Sequence, residues 1–235
     1  MLGIVCALAA EARHLGPTTP RHEPLASLAD GTLLAVSGMG AAAAGLSARA
    51  LVEAGAGALA SFGLAGGLDP ALIAGSIFLP SEVITLTGPG IYTAPRWRER
   101  LSAALAAQRP VAHGKLLSCP RAIGTVAQKA ALFRDTGAAA VDMESLAVAQ
   151  VAATKHVPFI AVRVIVDSAR DELPQAVTAA ADSAGQLQLW RLLGALARSP
   201  ADLAPLMKLV WRYRAASRSL AAVARAGSLA PYAFS

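Results

Sequence analysis

Apolar residues along this chain come in short, uninterrupted runs rather than in alternation with polar ones. Leu2–Leu8, Thr32–Val36, Ala58–Gly63, Gly75–Leu79, Lys115–Ser118, Ala138–Val141 and Phe159–Val166 each read as a strand. A strand without a polar face is covered on both sides, which is the habit of parallel sheets. Between the runs, Ala-rich stretches predict helices over Ala41–Ala54, Gly124–Phe133 and Ser145–Thr154. Strand and helix in alternation predict an α/β fold: one domain with a mixed, mostly parallel central sheet flanked by helices. In such sheets a ligand site is expected at the carboxyl ends of the strands. After Pro174 the character changes. Gln175–Ala197 reads as a long helix, Ser199 and Pro200 end it, and Leu203–Ala226 reads as a basic amphipathic stretch. The division this predicts is a catalytic domain over 1–198 and a C-terminal extension over 199–235.

Composition narrows the class. A chain of 235 residues can bury one sizeable core. Hydrophobic residues reach 55%, yet aromatics only 5%, so the apolar fraction is mostly Ala, Leu and Val. The longest uncharged stretch, Gly31 to Ala48, is broken by glycines and two serines and does not read as a membrane span. Glu11, Arg13 and His14 interrupt the first apolar run, so no secretory signal is expected. Cys6 and Cys119 have no metal-ligand spacing; no metal is expected, and the location expected is the cytoplasm. The net charge of +6 fits either ordinary solubility or attraction to an anionic surface. Its basic residues concentrate in the tail rather than along a groove, so no nucleic-acid partner is expected.

Four segments at strand ends could carry chemistry. Glu11 follows the first strand, in the first turn of a helix, where a carboxylate favours the positive helix end or serves a site. Ser37-Gly38-Met39-Gly40 lies between strand and helix, either a tight turn or a place where backbone N–H groups meet a ligand. Gly63 to Gly67, with Ala65 and Gly66 inside it, is a second Gly loop with the same two readings. Val141-Asp142-Met143-Glu144-Ser145, then Pro158 to Arg163 and Asp167, place two further carboxylates at strand ends. Such acids either cap the next turn or divide an acid role from a binding role.

In order and spacing, these segments over Leu2 to Arg170 resemble the purine nucleoside phosphorylase/methylthioadenosine nucleosidase family. The resemblance implies an enzyme that breaks the bond between a purine and a ribose. It implies Asp167 as the general acid at N7 of the departing base, Glu144 as the grip on the ribose hydroxyls, and Met143 as the apolar wall beside the sugar. It implies that Glu11 activates water in the hydrolytic members, and that Gly38, Gly40, Ala65 and Gly66 floor the nucleophile and base. No cofactor is implied, only phosphate as co-substrate for a phosphorylase, with Arg13, His14, Ser37 and Arg163 available to bind it. Arg163 reads rather as a structural ion-pair partner. Departures fall on the nucleophile side. Val166 stands where the family has Ser, Leu64 where nucleosidases have Ser or Thr, and Ala41 where they have a basic residue.

Lys208, Arg212, Arg214 and Arg218 alternate with Leu206, Leu209, Val210 and Trp211. Such a stretch suits an anionic membrane surface, the host domain or a second subunit. In length, Gly loop and basic tail the chain resembles the hopanoid-associated phosphorylases, a bacterial branch of the family. That resemblance implies phosphorolysis of adenosylhopane, a lipid-linked nucleoside, with peripheral contact at the inner membrane face and a homodimer or higher homo-oligomer. The alternatives are a hydrolytic methylthioadenosine/adenosylhomocysteine nucleosidase and a non-catalytic nucleoside-binding module.

Overall fold

The computed structural model describes residues 1–20, 25–106, 109–172, 203–226 and 229. Strand β1 (Leu2–Cys6) is buried at all five positions because it has parallel neighbours on both edges, β4 (Leu33–Val36) and β5 (Ala58–Gly67). Strand β5 organises the rest. Beyond β1 it continues beside β10 (Phe159–Asp167) in parallel, as far as Asp167 opposite Gly66. Its last two glycines pair antiparallel with β9 (Ala138–Asp142). Strand β10 also pairs with β6 (Ile77–Ile84), β6 with β8 (Val111–Ser118), and β8 with β9. Strands β5, β10, β6, β8 and β9 therefore close into a ring, which protects their backbone edges. The other side of β1 extends through β4 to β3 (Leu25–Ser27) and β2 (Thr19–Pro20), and β7 (Ile91–Tyr92) adds to β6. The long pairings are parallel and the antiparallel ones short, so the sheet is mixed and mostly parallel, as the apolar runs predicted.

Helices cover both faces. On one, α2 (Ala41–Glu53) and α5 (Ser145–Thr154) bury Ala44, Ala48, Leu51, Val148 and Ala152. On the other lie α1 (Ala9–Ala12), α3 (Pro95–Ala106) and a long C-terminal helix. Helix α4 (Val126–Thr136) is capped by Thr125, whose hydroxyl accepts the Gln128 N–H at 3.2 Å, and it starts two residues later than the Gly124 predicted. Helix α3 went unread in the sequence, although Trp97, Leu101 and Leu105 follow one another at helical spacing. Strand β1 stops at Cys6, short of Leu8, because the chain turns there into α1. The predicted helix over Gln175–Ala197 lies outside the described residues.

The basic stretch after Pro200 forms helix α6 (Leu203–Arg225). Its C-terminal half is part of the core: Ala216, Leu220 and Val223 are buried against Ile4, Leu79 and Val164. Ser219 Oγ donates to Gly75 O at 2.8 Å. Its first turns behave differently and leave Met207 and Trp211 more than half exposed. Leu220→Ala should therefore cost about 2–5 kcal/mol, as at other core positions. Chemical denaturation should show one cooperative transition moved to lower denaturant. A change within about 0.5 kcal/mol, the usual size for a surface site, would mean that α6 is a detachable appendage.

Candidate active site

The turn from β1 into α1 points Glu11 back toward the sheet. Its Oε2 accepts the Leu8 N–H at 2.9 Å, and its Oε1 accepts the Leu64 N–H of β5 at 2.9 Å. A Cβ on Gly63 would lie 2.6 Å from Oε1, so only glycine lets the carboxylate reach the strand. The segment Gly63 to Gly67, expected as a loop, is instead the end of β5, because its residues pair with β10 and β9. Burial raises the Glu11 pKa, while the Leu64 and Leu8 N–H groups and the Arg163 charge pull it down.

Glu144 stands between β9 and α5. Its Oε1 accepts the Gly40 N–H at 2.7 Å, which ties it to the first Gly loop 104 residues away. Gly38 and Gly40 have φ of 80° and 98°, in the left-handed region where glycine is favoured. Ser37 closes the same loop, donating to Gly38 O at 2.6 Å. The Met143 N–H lies 3.3 Å from Glu144 Oε2, and the Met143 side chain is half-buried beside it. Burial, reinforced by the nearby Asp142 carboxylate, pushes Glu144 up to about 7.

Arg163 was expected among the substrate-binding residues, yet its guanidinium is already engaged. Nε and Nη2 donate to Asp142 Oδ2 at 2.9 and 2.7 Å. Nη2 also reaches Ser61 Oγ at 2.6 Å and Ser145 Oγ at 2.8 Å, and Nη1 donates to Val162 O at 3.2 Å. The ion-pair reading of Arg163 describes these contacts. With Glu11 and Glu144 it lines a cavity of about 10 Å³. That is room for about one water between the two carboxylates.

Asp167 ends β10, where the register with β5 slips between Ile165 and Asp167 and re-aims the chain. It is 4% exposed. Its carboxylate lies beside Gly66, where a Cβ would stand at ordinary contact, 3.5 Å from Oδ2. Burial raises the Asp167 pKa, and the ammonium of Lys129 opposes this without cancelling it. Lys129 Nζ donates to Asp167 Oδ2 and, at 2.8 Å each, to the carbonyls of Ser168 and Asp171. The sequence reading missed this lysine, because nothing in an Ala-rich amphipathic helix marks one lysine as buried. Ala65 is packed into the core, so its side chain offers no surface to a ligand.

Glu11, Glu144 and Arg163 thus share one small cavity, and Asp167 sits further along the same strand. Leu64, which holds Glu11, and Gly66, opposite Asp167, are two residues apart on β5, about 7 Å of strand rise. Of the other groups available for phosphate, His14 Nε2 is hydrogen-bonded to Ser217 Oγ of α6 at 2.9 Å, and Arg13 is exposed.

Residues 2–193 match the sequence pattern described as the phosphorylase superfamily. The chain belongs to the phosphorylase superfamily. The nucleoside phosphorylase or nucleosidase class read from the motifs stands on that membership. No curated protein matches the chain. Among solved structures, it is similar to the 5′-methylthioadenosine/S-adenosylhomocysteine nucleosidase of Neisseria meningitidis in complex with methylthio-immucillin-A. The identity is 18%, covering 97% of this chain and 98% of that one, with a TM-score of 0.71. Native futalosine hydrolase of Helicobacter pylori is 18% identical over 89% of this chain and 96% of its own, with a TM-score of 0.65. A mutant Helicobacter pylori MTAN with 5′-methylthioadenosine in its active site is 18% identical over 72% of this chain and 86% of its own, with a TM-score of 0.65. At these identities the likeness is one of fold.

This superfamily member carries a measurable burden at Glu144. Its folded pKa lies above the unfolded one, so the stabilising protonated form is fully present below the ordinary carboxylate range. That contribution is lost as pH rises toward about 7. Glu144→Gln should remove this part of the slope, at most roughly 3 kcal/mol. Denaturation curves of wild type and variant across this window give the difference. Parallel pH dependences would show that Glu144 ionises normally.

Proposed function

We propose that the chain cleaves the N-glycosidic bond of a purine nucleoside. The observation that carries this is three buried carboxylates, Glu11, Glu144 and Asp167, gathered at neighbouring strand ends, each with its pKa raised by burial. Asp167 in its protonated form donates to N7 of the base. The bonding pair between the sugar carbon and N9 then moves onto the base, and the ribose becomes cationic. Glu144, as a carboxylate, accepts hydrogen bonds from the ribose hydroxyls, and these strengthen as that charge develops.

Water is the nucleophile that this geometry supports best. Glu11 beside the water-sized cavity takes one proton, and the remaining hydroxide oxygen bonds to the sugar carbon. A phosphate dianion needs cations, and Arg163, the cation lining that cavity, already serves Asp142, Ser61 and Ser145. Adenine release from methylthioadenosine should therefore proceed without phosphate, and Asp167→Asn should lower it by about 10²–10⁴-fold. An absolute phosphate requirement would replace hydrolysis by phosphorolysis. Wild-type turnover by Asp167→Asn would remove the assignment of the acid.

A finer reading concerns the substituent on the sugar. A lipid-linked nucleoside, the adenosylhopane implied by the hopanoid-associated branch, has its support on α6. There Met207, Val210 and Trp211 are exposed beside Lys208 and Arg214, and the Arg214 guanidinium lies 5.7 Å from the Trp211 ring centre. Among the described residues no helix is long and apolar enough to cross a membrane. This face instead suits contact with the surface of an anionic leaflet, about 1 kcal/mol for each basic residue. Truncating α6 would strip the core, so point changes give the cleaner test. Lys208→Glu with Arg214→Glu should reduce sedimentation with anionic vesicles at low salt, and leave adenine release from soluble methylthioadenosine unchanged. A wild-type protein that stays in the supernatant with such vesicles would remove the support for a lipid-linked substrate.

A further inference from the structure

Lys129 is the one buried residue among those of α4, and it is fully buried. A lysine in that place is unfavourable unless every part of its charge is met, because an ammonium loses its hydration on burial. Here it is met. An ammonium has three protons, and they go to Asp167 Oδ2, to Ser168 O and to Asp171 O. Two consequences follow from this arrangement. The carboxyl of Asp167 is held through one oxygen, and among the described residues no group is bonded to Oδ1. The turn after β10 is clamped at both ends by the same ammonium.

That turn is reinforced from within and from outside. Asp171 Oδ2 accepts from Ser168 N at 2.9 Å and from Ser168 Oγ at 2.7 Å. Asp171 Oδ1 is paired with Arg212 of α6 at 2.6 Å. The family pattern places a hydroxyl residue before the acid, and this chain has Val166 there. Lys129 supplies an orienting hydrogen bond from a different element.

We propose that Lys129 is a positioning residue for glycosidic cleavage: it holds Asp167 with Oδ1 free for the purine and stabilises the carboxylate left after proton transfer. This rests on the assignment of Asp167 as the general acid. The proton moves from Asp167 to N7, the electron pair of the broken bond stays with the base, and the negative charge remaining on Asp167 lies against the ammonium. Lys129 itself neither gains nor loses a proton.

The test is a pH profile of kcat and kcat/KM for wild type, Lys129→Met, Lys129→Arg and Asp167→Asn, each corrected for folded protein. The charged groups facing Asp167 are Lys129 from α4, Asp171 from the turn and Arg212 from α6. Removing the nearest cation favours the protonated acid. The alkaline limb of Lys129→Met should therefore move to higher pH, with kcat lower by about 10–100-fold and KM changed by less than about threefold. Lys129→Arg should keep the limb near its wild-type position. An unmoved limb, with kcat at the wild-type value per folded molecule, overturns the proposal. Should Lys129→Met fail to fold, the double variant with Asp167→Asn removes both buried charges. Activity equal to that of Asp167→Asn alone supports a role through Asp167, and a further fall overturns it. Failure of the underlying assignment looks different, since Asp167→Asn would then retain wild-type turnover.

Discussion

The site depends on one buried cation. Arg163 of β10 reaches Asp142 of β9, Ser61 of β5 and Ser145 of α5, so a single guanidinium joins the elements that surround the cavity. Breaking such a pair costs about 3–5 kcal/mol, because the partner is left charged and dry. The arginine also sets the electrostatics. Glu11 and Glu144 both feel its charge, which opposes the effect of burial on each. Without that cation, carboxylates so close together would lose more of their ionised forms to mutual repulsion.

The two Gly-rich segments, the loop at Gly38 to Gly40 and the end of β5, are the geometric counterpart of this charge arrangement. Gly63 admits the Glu11 carboxylate, and the positive φ of Gly40 presents an N–H to Glu144. Glu11 and Glu144 are thus held by backbone N–H groups from other parts of the chain, and Asp167 by the Lys129 ammonium. Side chains held in this way need little reorganisation as charge develops, which is what electrostatic catalysis requires.

Helix α6 serves two surfaces at once. Its inner face completes the core through Leu220 and Val223, and Arg212 pins the turn that follows Asp167. Its outer face carries Trp211 and Arg214 in solvent. The basic stretch therefore cannot be understood as a tail added to a finished domain. Host-domain packing, one of its sequence readings, is present in the C-terminal half, and the outer face remains open to another partner.

Much of the fold was legible because continuous apolar runs and Ala-rich intervals are local signals. They set the α/β class, the mostly parallel sheet, the strands after which Glu11 and Glu144 follow and the strand that ends at Asp167. Helix α3 went unread, although Trp97, Leu101 and Leu105 make it legible in principle; its three arginines leave no continuous apolar run. Burial at a single helical position has no such local mark. Lys129 becomes part of the site only because α4 lies over the end of β10, and Arg163 becomes a structural cation only because Asp142, Ser61 and Ser145 arrive around it. Sequence by itself determined which residue types stand at the strand ends. Tertiary structure alone decided which charges are dry and which partners meet them, because burial and pairing depend on segments a hundred residues apart and more.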